Sequence, residues 1–211
     1  MKRKILSSIS FILNLVLLVY EVIYIAACFV IGGDGNMANA GFGAFRYFTI
    51  DSNTLVAVSA AVLLPFELIC VFSRKERTVP TAVSVLKLAG TTGAALTFLV
   101  VIAFLGPTQG YAAMFEGGNY YLHGVCPVLA MISFIFFDGG GPISRKQSLP
   151  ALLPLVIYAV VYTTMVVFIG GWEDFYGLNP GGFWPVSMII LLALNALVVM
   201  LLRKLHNRFA A

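Results

Sequence analysis

Charge is what this chain has least of. Lys and Arg number 13 and Asp and Glu 9 in 211 residues, 10% of the sequence, where a soluble domain carries roughly 25%. A water-facing surface of ordinary size is therefore excluded. Three cysteines, Cys28, Cys70 and Cys126, all fall inside apolar stretches. They form no CxxC and have no histidine at metal-ligand spacing, so they read as packing residues, and neither a metal nor another cofactor is expected. The formal net charge is +4, but the basic residues are scattered in short clusters and never form one patch. Nucleic acid is thus not an expected partner. Internal repeats and low-complexity tracts are absent as well.

What the chain does have is apolar sequence: 60% hydrophobic residues and a mean hydropathy of +0.96. It is arranged in runs over residues 5–31, 45–72, 79–105, 119–137, 149–170 and 183–202, each near the roughly 20 residues that span a bilayer. All six are expected to be helices, because an open sheet cannot satisfy its edge groups in hydrocarbon and the alternation of a membrane barrel is missing. The reading is an all-α polytopic membrane protein, a single six-helix transmembrane domain over residues 1–211. Basic residues fall at alternate ends of the runs: Lys2, Arg3 and Lys4; Arg74, Lys75 and Arg77; Arg145 and Lys146; Arg203, Lys204 and Arg208. The intervening loops at 32–44, 106–118 and 171–182 have no Lys or Arg but hold Asp34, Glu116, Glu173 and Asp174. Positive ends are retained on the cytoplasmic side, which places both termini there. Tyr111, Tyr120, Tyr121, Trp172, Tyr176 and Trp184 gather at the outer ends, where amphipathic rings favour the interface. The basic start and the segment Ile25-Ala26-Ala27-Cys28 imitate a cleavable leader, but Glu21 interrupts its apolar core and the run is too long for one. The segment is expected to be retained, in a bacterial inner membrane.

Ionisable residues inside the spans are costly and so carry information. They are Glu21, Arg46, Asp51, Glu67, Lys87 and His123. Glu67, near the cytoplasmic end of its run, is expected to reach the interface toward Arg74 or Lys75. The second run opens Phe45-Arg46-Tyr47-Phe48-Thr49-Ile50-Asp51-Ser52-Asn53, and helical periodicity puts Arg46, Thr49, Ser52 and Asn53 on one arc with Asp51 opposite. The fourth run opens Tyr120-Tyr121-Leu122-His123. Both runs start on the outer side, so Thr49 and His123 lie at similar depth and are expected to meet there. A Glu21–Lys87 contact is open to both residues, whereas Tyr158, Tyr162 and Asn195 read as helix packing.

Arg46-Tyr47-Phe48-Thr49 with Ser52-Asn53, His123 shortly before Pro127, the Leu86-Lys87-Leu88-Ala89-Gly90-Thr91 segment and Phe183-Trp184-Pro185 together resemble the androgen-induced and androgen-dependent-TFPI-regulating membrane proteins and their bacterial relatives. The resemblance covers most of the chain. It implies a threonine hydrolase acting on fatty acid esters of hydroxy fatty acids, with Thr49 as nucleophile and His123 as base. Ile-Asp-Ser-Asn after the threonine is a bacterial-type departure that bears on the substrate.

The residues agree with such chemistry. A threonine hydroxyl needs a base within hydrogen-bond reach, and His123 is the one candidate in the bundle, His206 being placed in the cytoplasmic tail. Oxyanion donors are expected from free amides near residues 45–48 or from Arg46, Asn53 and Ser52, with Arg46 also able to hold a substrate carboxylate. Asp51, Glu21 and Lys87 are supporting polar groups. The expected partners are a lipid or fatty-acyl ester and the bilayer. A small transporter or channel built on Glu21, Arg46, Asp51 and Lys87, or a lipid-binding protein without turnover, are the rival readings.

Overall fold

The computed structural model describes residues 2–29, 40–72 and 79–209, with side chains from residue 4 onward. Seven helices organise these residues: α1 (Lys2–Ala27), α2 (Phe48–Phe72), α3 (Thr81–Gln109), a short α4 (Tyr111–Phe115), α5 (Tyr121–Phe137), α6 (Leu149–Ile169) and α7 (Trp184–Phe209). No strand occurs among them. Five helices (α1, α2, α3, α6 and α7) are long and apolar enough to cross a membrane, and α5 is a shorter apolar helix. The chain is an all-helical, multi-pass membrane protein. Large apolar side chains on the outer faces, among them Ile12, Ile23, Ile157, Ile189 and Leu201, are more than half exposed, as lipid-facing positions require.

α3 is the central helix. Every residue from 87 to 97 is buried, and it packs against α2, α5, α6 and α7. Small residues make this possible by letting backbones approach closely. At Gly93 a Cβ would lie 2.9 Å from the Cβ of Ser52 on α2, and at Gly90 it would lie 3.0 Å from the carbonyl oxygen of Leu55. These two glycines set the α2–α3 crossing that carries Thr49.

Element bounds differ from the sequence reading where they matter most. α2 begins at Phe48 rather than at residue 45, because residues Gly41–Arg46 form a 3₁₀ turn and Tyr47 is extended. α3 runs past residue 105 to Gln109, and the outer connection after it is not an irregular cap. Gly110, with φ of 95°, takes a conformation that side chains disfavour and reverses the chain into α4. The Tyr111 hydroxyl then bonds the Ile102 carbonyl at 2.8 Å and ties α4 back to α3. α7 continues through residue 209, so His206 is no tail residue: it is 1% exposed and stacks on Phe134 at 4.5 Å. Arg74, Lys75, Arg77 and Asp34 lie outside the described residues.

Candidate active site

The start of α2 supplies the first half of the site. A helix leaves its first amides without intrahelical partners, but those of Ile50 and Asp51 reach back to the Tyr47 carbonyl at 3.0 and 3.3 Å. The amides of Phe48 and Thr49 are left to turn outward. Phe48 N–H donates to the Tyr176 hydroxyl oxygen at 2.9 Å, and the amide and hydroxyl of Thr49 converge on the same oxygen.

The second half comes from the start of α5. Pro127 lacks an N–H and so deprives the His123 carbonyl of its α-helical partner. The turn ahead of it, Tyr121–Val125, widens to π geometry, a distortion that often accompanies functional sites. His123 is thereby presented toward α2. Its Nδ1 lies 2.6 Å from the Met114 carbonyl on α4, an acceptor only, so Nδ1 carries the proton and Nε2 keeps its lone pair. That Nε2 lies 3.4 Å from Thr49 Oγ1. This spacing is long for a strong hydrogen bond but usual for a catalytic pair before substrate tightens it. Both side chains are 8% exposed.

The loop between α6 and α7 completes the arrangement. Tyr162 on α6 donates to Asp174 Oδ1 at 2.7 Å, and the amides of Leu178 and Asn179 donate to the same carboxylate at 2.8 Å each. Burial pushes the Asp174 carboxyl up, but the hydrogen bonds from Tyr162 and the loop amides outweigh it and hold the group below its usual value. Fixed in this way, the loop drops Tyr176 onto α2. Tyr158, four residues before Tyr162 on the same helix face, donates to the Arg46 carbonyl at 2.8 Å and closes the ring of tyrosines. Burial pushes the Tyr176 hydroxyl up to about 12. It therefore remains a neutral donor at physiological pH.

Thr49 has the imidazole on one side and an apolar cleft on the other. The cleft is narrow, a cavity of about 50 Å³, less than a formed small-molecule site, so an acyl chain enters only as its walls part. Its walls are Val100, Phe104 and Leu105 of α3, Ala159 of α6 and Met188 and Leu191 of α7, with Thr49 and Tyr176 among its few polar groups. Phe104 is 40% exposed, so the cleft opens sideways between helices, where lipid would lie.

The structure brings Thr49 and His123 together and disperses the other residues named from sequence. The extended Tyr47 breaks the helical phase, so Arg46 shares no face of α2 with Thr49. Its guanidinium is exposed, bonds the Tyr47 hydroxyl at 2.6 Å and lies over the Tyr47 and Phe175 rings. Neither Asp51 nor an oxyanion is its partner. Ser52 bonds Thr97 at 3.1 Å and Asn53 bonds the carbonyls of Thr49 at 2.7 Å and Leu122 at 3.3 Å. Both are committed to joining helices and not to an oxyanion. Asp51 is half-buried on the opposite side of α2.

Glu21 and Lys87 are 0% and 1% exposed. Glu21 takes the Cys126 thiol as its hydrogen-bond partner, Lys87 Nζ has none, and no direct Glu21–Lys87 pair forms. His123 is oriented by a backbone carbonyl rather than by an acid. Glu67 does not reach the interface: it is 0% exposed and accepts the Gly139 amide at 2.8 Å. Tyr176, Met114 and Asp174 are the residues that sequence reasoning missed, Tyr176 having been counted as an interfacial ring. Among the described residues, no three of His, Cys, Asp and Glu converge to hold a metal ion. No family model, curated protein or solved structure matches the chain.

Proposed function

We propose that the protein is an intramembrane lipid-ester hydrolase that works through an acyl-threonine intermediate. The observation that carries this reading is the sequence of contacts from Met114 O to His123 Nδ1 and from Nε2 to Thr49 Oγ1, ending at an apolar cleft. It supplies a nucleophile, a base of fixed tautomer and an orienting group in one line. As Thr49 Oγ1 attacks the ester carbonyl carbon, its proton passes to Nε2. Charge develops on the carbonyl oxygen, and the Tyr176 hydroxyl is the donor for it. The Tyr176 oxygen accepts backbone amides, which polarises its O–H, and that proton turns from the Tyr158 hydroxyl to the carbonyl oxygen as charge develops there. Collapse breaks the ester bond, and His123 returns the proton to the departing alcohol. Water, deprotonated by the same Nε2, then attacks the acyl-threonine; the bond to Thr49 Oγ1 breaks, Nε2 returns the proton to that oxygen, and the fatty acid is released.

The substrate class rests on the cleft, whose walls are apolar and whose side opening faces the bilayer. A fatty acid ester of a hydroxy fatty acid matches it and matches the resemblance to the androgen-induced protein family. In this reading α5 is a sixth span. Its 17 residues rise roughly 25 Å at the α-helical 1.5 Å per residue, near the lower bound for crossing. Both termini are cytoplasmic, and the site faces the outer leaflet of a bacterial inner membrane.

The test is fatty acid release from such esters by the purified protein. Turnover should fall by about 10²–10⁴ in Thr49→Ala and His123→Ala, with fluorophosphonate labelling lost in the former. Equal turnover in wild type and both variants would remove the mechanism.

A second reading, a small transporter, draws on a different observation: Glu21, Lys87, Glu67 and Asp138 are all buried inside the bundle, and intramembrane charges commonly mark ion paths. Flux into proteoliposomes that disappears in Lys87→Met but survives Thr49→Ala would favour it.

A further inference from the structure

At the other end of α2 from Thr49, two acids meet across one hydroxyl. The separation of 18 positions between Thr49 and Glu67 is roughly 27 Å of helix. Ser10 Oγ lies 3.2 Å from Glu67 Oε1 and 2.8 Å from Asp138 Oδ1. Asp138 Oδ1 also accepts Ser133 at 2.6 Å and Asn14 at 2.9 Å, three donors on one oxygen, as an ionised carboxylate attracts. Ser10 has a single proton, and the Asp138 contact uses it. Its contact with Glu67 is then attractive only when Glu67 brings a proton of its own.

Three groups around the pair are buried and without protein partners. Glu67 Oε2, Asp138 Oδ2 and Lys87 Nζ make no hydrogen bond, and their residues are 0%, 2% and 1% exposed. Asp138 neighbours Lys87. One proton held between the two acids leaves a single carboxylate charge across Ser10. A second carboxylate charge across the same hydroxyl would be both repelled and desolvated. The facing groups are Ser7, Ser10 and Asn14 of α1, Ser84 and Lys87 of α3, Ser133 of α5 and His206 of α7. Arg74, Lys75 and Arg77 follow α2 outside the described residues.

An exchange route adjoins the pair. A Cβ at Gly140 would lie 2.5 Å from Ser84 Oγ and 4.0 Å from His206 Nε2, so the bare backbone there lets the two side chains converge. Both atoms are buried and unpartnered. His206 Nδ1 is committed to the Phe134 carbonyl at 2.8 Å, which leaves Nε2 as a proton acceptor beside the exposed Gly141.

We infer that Glu67, Ser10 and Asp138 form a proton-binding site that holds one proton between two carboxyl groups and exchanges it with water past Gly140 and His206. The site stands apart from Thr49 and does not rest on the hydrolase reading.

Infrared spectroscopy of the full-length protein in nanodiscs at neutral pH tests it. Wild type should show a protonated-carboxyl C=O band that shifts in D₂O. Glu67→Gln should remove that component, and Glu21→Gln should leave it in place. Ser10→Ala keeps both acids but takes away the bridge, so the band should move in frequency; this variant decides the matter if Glu67→Gln does not fold. His206→Phe should slow the D₂O shift. A spectrum unchanged in both Glu67→Gln and Ser10→Ala, or a component lost only in Glu21→Gln, would overturn the assignment, and so would a band that never exchanges.

Discussion

At the scale of single residues, the site depends on which oxygen and which nitrogen keep a proton. His123 can act as a base at Nε2 only because the Met114 carbonyl takes the Nδ1 proton. Tyr176 is held in place as a donor because its oxygen accepts the amides that open α2. Tyr176→Phe retains the ring and loses the donor, so kcat for ester hydrolysis should fall roughly 10²–10³-fold with KM nearly unchanged, as for removal of an oxyanion donor. Arg46→Gln is the contrasting case. Its guanidinium faces solvent and the Phe175 ring, so turnover should stay near wild type and stability should change by no more than about 0.5 kcal/mol. The Thr49–His123 pairing was legible in the sequence because both residues follow closely on the starts of runs expected to begin on the same side. Tyr176 and Met114 were not legible: a loop and a short helix nine positions before His123 deliver them, and neither has a periodicity to read.

At the scale of elements, the irregular turns perform the positioning. The π turn at Tyr121–Val125 exists because Pro127 withholds an amide. Pro127→Ala restores that amide, allows an ordinary α turn and should rotate His123 off Thr49. Thermal melts should show a Tm equal to or above wild type while kcat falls. The loop that carries Tyr176 depends on Asp174, whose folded-state pKa is depressed by its hydrogen bonds. Its contribution to loop order is present above the unfolded carboxyl value and is lost as pH falls through the folded one. Trp172 fluorescence should therefore report a loop transition below the ordinary Asp range. Asp174→Asn should lower activity at neutral pH and abolish that transition. The sequence reading of Arg46 as part of α2 failed at this scale, since a 3₁₀ turn and one extended residue shift the helix start by three positions.

At the scale of the whole molecule, the bundle is held by close backbone approach rather than by large side chains, as expected where lipid already solvates apolar surface. Gly93→Val should be felt directly, because the first added carbon meets Ser52 Cβ at 2.9 Å. The expected loss is about 1–3 kcal/mol, read as a lower Tm in detergent, together with reduced hydrolysis as α2 is pushed from α5. The lipid-facing Ile189→Val on α7 is the control and should change neither.

Composition and hydropathy alone determined that the chain is an all-helical membrane protein, because hydrocarbon admits few ways to satisfy a backbone and each apolar run must solve that problem locally. The places of Thr49 and His123 close to the starts of their runs were legible too. Only the tertiary structure decided what surrounds them. Glu67 and Asp138 lie 71 positions apart, with Ser10 between them in space, and nothing local in a glycine-rich turn announces its partner. The tautomer of His123, the hydroxyl of Tyr176 and the burial of His206 are likewise products of packing between distant segments, whose contacts depend on crossing geometry that no single run of sequence contains.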